Sequence, residues 1–192
     1  MSYTDLLQIY DADNWLTRST GAVRDADMAV GIKGGVKGLM TVLDRFVAEK
    51  RVFGRVVFHT HGNDGSISFG DEKDNKQITT DILNKMFAGR KYDTLFTYNA
   101  RIYFNGCKVA AGDIGWKFLE TAGSVFLGRL GGTTFGHTKY GRPLVWDFVT
   151  VFGGVATQLR LLHKRGHSVH VNGETRYVYT VPGGHVSSRW TD

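Results

Sequence analysis

Apolar positions along this chain fall into two alternating patterns, short continuous runs and longer stretches with helical spacing. Residues 6–10 form a short apolar strand that ends in Asp11 and Asp13. Residues 31–38 are glycine-rich, and 36–47 then place Val36, Leu39, Met40, Leu43, Phe46 and Val47 on one helical face. Residues 55–61 are a continuous apolar strand running into His59, Thr60 and His61, the pattern of a strand covered on both faces. Residues 66–70 alternate as a strand or hairpin arm. Residues 78–87 read as a helix with Thr79 or Thr80 near its start. Residues 101–105 form a second buried strand, 113–122 a helix, 125–127 a short strand and 144–163 a longer helical pattern broken at Gly153 and Gly154. The segments 167–171 and 176–181 alternate around Asn172-Gly173, a strong hairpin signal.

Strands alternating with helices predict an α/β fold, with a mostly parallel central sheet between helical layers and a C-terminal β-hairpin. The expected organisation is one domain over 1–192, with a core over about 1–141 and a C-terminal helix and hairpin over 142–192. No internal repeat or linker interrupts it.

Composition narrows this picture. Of 192 residues, 42% are hydrophobic and 22% charged, as in ordinary globular domains. The 25 glycines against 2 prolines point to tight turns rather than disorder. The net charge of +6 is spread along the chain, with no Lys/Arg run longer than two, so nucleic acid is not the expected partner. No apolar run reaches the length of a membrane span, and no basic-then-apolar leader opens the chain. A cytoplasmic protein is expected, with non-classical export left open. One cysteine excludes an intramolecular disulfide.

Candidate chemistry sits at two strand ends. In open α/β sheets, sites form beyond the carboxyl ends of the strands. One strand ends His59-Thr60-His61-Gly62 and the other Asn105-Gly106-Cys107. A thiol becomes a nucleophile beside a base, and a histidine at a neighbouring strand tip supplies one. The adjoining glycines allow close approach of backbone, and the amides of Gly62 and Cys107 are candidate oxyanion donors. The competing reading is a buried core thiol and a histidine that ends a strand.

These residues resemble a known group. His61-Gly62-Asn63-Asp64-Gly65-Ser66-Ile67-Ser68-Phe69-Gly70 is similar to His-Gly-x-x-Gly-Ser-Leu-x-Leu-Gly. Phe104-Asn105-Gly106-Cys107-Lys108-Val109-Ala110-Ala111-Gly112-Asp113-Ile114-Gly115 is similar to Tyr-Gly-Cys-x-Val-Ala-x-Gly-x-x-Gly, with Asn105 where the pattern has Tyr. Both patterns belong to a bacterial branch of the caspase-like cysteine peptidases (clan CD), and the resemblance covers roughly residues 50–130. It implies a three-layer caspase-like fold and hydrolysis of a protein or peptide substrate through a thioester acyl-enzyme, without a cofactor. Cys107 would be the nucleophile, His61 the base and leaving-group acid, and Gly62 an oxyanion donor. The primary specificity pocket would fall at Asp11 or Asp13 and Asn105, where a carboxylate would favour a basic P1 side chain. The local alternative is that Asp11 and Asp13 cap a turn or helix. The chain departs from true caspases in lacking Gln-Ala-Cys and any linker for maturation into two subunits. A catalytically silent interaction module on the same fold is therefore a second reading.

A third is a zinc-dependent hydrolase using His59 and His61, which share a face if the strand continues through both. His163, His167, His170 and His185 read as a solvated hairpin, because His167 and His170 differ by an odd number of positions. His137 reads as a surface-loop residue able to reach the sheet edge that carries Cys107. The glycine-rich 31–38 resembles a phosphate cradle but lacks the P-loop ending and, on this reading, a preceding strand. Trp15, Trp116, Trp146 and Trp190 are scattered and read as packing residues.

Overall fold

A computed structural model of the chain describes residues 2–13, 26–70, 77–139, 141–144, 168–171 and 174–191. Its centre is a seven-stranded sheet. In chain order the elements are β1 (Ser2–Asp11), β2 (Met28–Ile32), α1 (Gly35–Ala48) and β3 (Arg51–His59). A small antiparallel sheet of β4 (His61–Asn63), β5 (Ser66–Ser68) and β6 (Gln77–Thr79) follows. Next come α2 (Thr80–Ile82), widening into a π-helical turn over Leu83–Phe87, and a 3-10 turn over Lys91–Leu95. The chain continues through β7 (Phe96–Phe104), α3 (Gly112–Leu127), β8 (Gly132–His137), β9 (Gly141–Leu144), β10 (Ser168–Val171), β11 (Thr175–Thr180) and β12 (Val186–Thr191).

The main sheet runs β2-β1-β3-β7-β8-β11-β12. β2, β1, β3, β7 and β8 are parallel; β11 and β12 close the edge antiparallel. Parallel neighbours need long crossovers that cover the sheet, and burial on both strand faces is why β1, β3 and β7 carry apolar runs. The expected α/β sheet flanked by helices is present.

The larger core lies on the face covered by α1 and α3. Leu39, Leu43 and Phe46 of α1 and Phe118, Leu119 and Phe126 of α3 are buried with Phe53, Phe58, Ile102 and Phe104. Phe58 stacks on Phe104 with ring centroids 5.2 Å apart, and Phe118 meets Phe104 edge-on at 5.1 Å. These contacts lock β3 to β7 just below their tips. The other face carries an aromatic ladder, Tyr103, Phe135, Tyr177 and Trp190, one ring from each of four adjacent strands.

Several elements differ from the sequence pattern. Residues 125–127 are the last turn of α3, because Phe126 extends the apolar stripe of Phe118, Leu119 and Ala122. The 78–87 segment starts as a strand. Its helix begins after Thr79, whose Oγ1 accepts from Ile82 N at 3.3 Å. The glycine-rich 31–38 is preceded by a strand, β2.

The C-terminal hairpin exists with other partners than expected. β11 pairs with β12 across residues 181–185, and β10 pairs with β9. Asn172-Gly173 lies outside the described residues, as does nearly all of 144–163. β11 also pairs with β8, so the C-terminal strands are part of the central sheet. Among the described residues no helix is long and apolar enough to cross a membrane.

Candidate functional site

β3 and β7 are adjacent and parallel, so both chains leave the sheet at the same edge. Pairing continues one step past the strands, where Asn105 N donates to Phe58 O at 2.9 Å. The two tips then touch through glycine. A Cβ placed on Gly62 would lie 2.6 Å from Cys107 O and 2.8 Å from Gly106 C. A Cβ on Gly106 would lie 2.8 Å from Gly62 Cα and 3.0 Å from Gly62 N. Real side chains do not approach so closely, so only glycine fits at either place. The backbone next to His61 and that next to Cys107 are thereby in contact. His61 is exposed and Cys107 partly exposed. The Gly62 amide, an expected oxyanion donor, lies at this same backbone contact.

The segment after Cys107 is held from several sides. Lys108 N donates to Lys139 O at 3.0 Å and Ala110 N to His137 O at 2.9 Å, so the end of β8 supports it. Gly65 N, in the turn between β4 and β5, donates to Val109 O at 3.2 Å. Lys108 Nζ lies 3.5 Å from Asp64 Oδ1. Lys108 itself has a φ of 56°, a left-handed conformation that costs a non-glycine residue roughly 1–2 kcal/mol.

The carboxylates at the β1 tip have structural partners. Asp11 is fully buried; its Oδ2 accepts from Gly70 N at 2.6 Å and its Oδ1 from Asp13 N at 3.0 Å. Asp13 is exposed, and its Oδ2 accepts from Gly34 N at 3.2 Å, at the start of α1. Asn105 stands at the β7 tip beside Cys107. Its Oδ1 and Nδ2 are both shielded from solvent without a hydrogen-bond partner, a costly state for an amide.

The remaining histidines are placed differently from the sequence reading. β3 ends at His59, and His61 belongs to β4, so the two are not on one continuous strand. His59 is 6% exposed, whereas His61 is open to solvent. Among the described residues no group of three His, Cys, Asp or Glu is placed to hold a metal. His137 is not a surface-loop residue. It ends β8, is 1% exposed, and has Nδ1 3.3 Å from Thr175 Oγ1. Burial pushes its pKa down to about 4, so it stays neutral at physiological pH. His185 is exposed; His163 and His167 lie outside the described residues.

Sequence reasoning missed one participant. Arg176 Nη1 donates to Ala110 O at 2.9 Å and Gly112 O at 2.6 Å, and the guanidinium lies over the Trp116 ring at 4.6 Å. The contact spans more than 60 residues of chain, and no local pattern around Arg176 announces it.

No protein-family profile matches this chain, and no curated protein or solved structure matches it.

Proposed function

We propose that the chain is a cysteine hydrolase of caspase-like type in which Cys107 and His61 form the catalytic dyad. The observation that carries this reading is the contact of Gly62 with Gly106, which joins the two strand tips at the residues next to the dyad. The proposed reaction is peptide hydrolysis. The Cys107 thiolate attacks the scissile carbonyl carbon, forming the C–S bond, while the Gly62 and Cys107 amides receive the developing oxyanion. As the C–N bond breaks, His61 gives its proton to the leaving amine. Water, deprotonated by His61, then cleaves the thioester and releases the acid and the free thiol.

For specificity, Asp11 is withdrawn into the fold, which leaves exposed Asp13 and the buried amide of Asn105 as the residues to meet a P1 side chain. A basic P1 group would pair with Asp13 in competition with its Gly34 contact.

Labelling tests the proposal directly. Iodoacetamide should alkylate Cys107 faster than a free thiol in the same buffer, and His61→Ala should abolish the excess rate. Equal rates for the wild type, the His61→Ala variant and the free thiol would refute the dyad.

A further inference from the structure

We infer that Arg176 of β11 is a positioning residue for the Cys107 loop, which makes the C-terminal strands part of the catalytic apparatus. The inference rests on Cys107 being the nucleophile.

Within the loop between β7 and α3, Ala111 N donates to Lys108 O at 2.8 Å. The loop is held from outside at Lys108 N, Val109 O and Ala110 N, in each case by backbone of β8, of the residues just after it, or of the β4–β5 turn. Two further anchors, on Ala110 O and Gly112 O, both come from a single side-chain nitrogen, Arg176 Nη1. Its two hydrogens serve the two carbonyls, so the guanidinium fixes their separation across Ala111, the residue that caps α3. Trp116, one turn into α3, holds the guanidinium plane in place.

Helix stability does not account for this placement. A cation beside the first turn of a helix opposes the helix dipole, which favours anions there. What the cation does satisfy is the carbonyl groups of a turn that contains a non-glycine residue at positive φ, Lys108, directly after Cys107. Such a turn relaxes when its anchors are lost. His61 also pairs with Ser68 in the small sheet, an anchor the loop does not supply, so relaxation of the loop moves Cys107 relative to its base.

The test uses the full chain. Iodoacetamide labelling of Cys107 is compared for wild type, His61→Ala, Arg176→Ala and Arg176→Lys, with hydrogen exchange followed over residues 105–115. Arg176→Ala is expected to lower the labelling rate about ten- to hundred-fold, the scale of a misplaced reacting group, and to speed exchange in the loop. About 20 mM guanidinium chloride, far below denaturing concentrations, should restore part of the rate where equal sodium chloride does not. Arg176→Lys keeps the charge but is shorter and cannot stack flat on Trp116, so its rate should be intermediate.

Labelling of Arg176→Ala at the wild-type rate would overturn the inference. So would a loss of rate that guanidinium does not restore, which would assign Arg176 to folding alone. If Arg176→Ala does not fold, Arg176→Lys decides, and a full wild-type rate in that variant overturns the clamp. If wild type and His61→Ala label alike, the dyad itself fails; exchange over 105–115 then still reports whether Arg176 holds the loop.

Discussion

Replacing Gly62 with alanine tests the contact that joins the two strand tips. The new Cβ would stand 2.6 Å from both Cys107 O and Val109 Cγ2 and 2.8 Å from Gly106 C. Ordinary contacts of these atoms are longer by about an ångström, so backbone must move. Overpacking of this kind costs about 1–3 kcal/mol, and the loss of glycine's freedom in the unfolded chain returns about 0.4–1. The net expectation is a destabilisation of about 1–2 kcal/mol. The effect on chemistry should be larger, because the displaced atoms flank Cys107. A shift approaching 1 Å costs about a hundredfold in rate. Urea unfolding gives the first quantity, and iodoacetamide labelling of the folded protein gives the second. Gly89→Ala serves as a control, since a Cβ there meets nothing within 4 Å and only its φ of 78° is strained. If Gly62→Ala unfolds within about 0.5 kcal/mol of wild type and labels at the same rate, the tips are not packed as described and the dyad loses its main support.

Three further outcomes are expected. His137 is neutral in the fold, with its pKa lowered to about 4 from 6.5. The unfolded chain therefore binds the extra proton first, and stability falls as pH drops from 6.5 towards 4, by up to about 3 kcal/mol. His137→Gln should flatten that part of a pH series of urea unfolding curves, and a variant with the same slope as wild type would contradict the assignment. Asp11→Asn puts an amide NH2 where one oxygen accepts from Gly70 N or Asp13 N, and should cost about 2 kcal/mol by thermal or urea unfolding; a change under half that would mean the carboxylate does not pin the β1 tip. Lys108→Gly removes the positive-φ penalty and should raise stability by up to about 1 kcal/mol, less the entropy of the added glycine, with Cys107 labelling retained. A loss of labelling there would give the Lys108 side chain, and its contact with Asp64, a role in the site.

The meeting of the two strand tips was legible where its signals are local. β3 and β7 announce themselves as apolar runs, and a parallel sheet presents the ends of successive strands at one edge. His61-Gly62 and Gly106-Cys107 could therefore be paired without knowing a single contact. The structure gives that pairing a physical cause, because each glycine occupies space that a side chain on the other would need. Asp11 shows the opposite case. A carboxylate at a strand end reads equally as a ligand for substrate or as a cap. Only its complete burial and its two backbone partners separate the possibilities.

Non-local pairing is what the pattern concealed. Asn172-Gly173 is a strong turn dipeptide, but a turn signal cannot say which strands it joins, and β11 takes its partners from β8 and β12. β12 is exposed throughout and polar apart from Val186 and Trp190, so burial leaves almost no mark on its sequence. His137 reads as a loop residue only while 125–127 is taken for a strand. Once those residues close α3, the next strand is β8 and His137 becomes its buried end. The same shift bears on the chemistry. With β8 and β11 in the central sheet, the loop after Cys107 rests on the His137 and Lys139 carbonyls and on Arg176. A reading that ended the core near residue 141 left out the strand that carries Arg176. The resemblance over roughly residues 50–130 therefore points to the proposed reacting groups but omits one of the supports that would hold them in place.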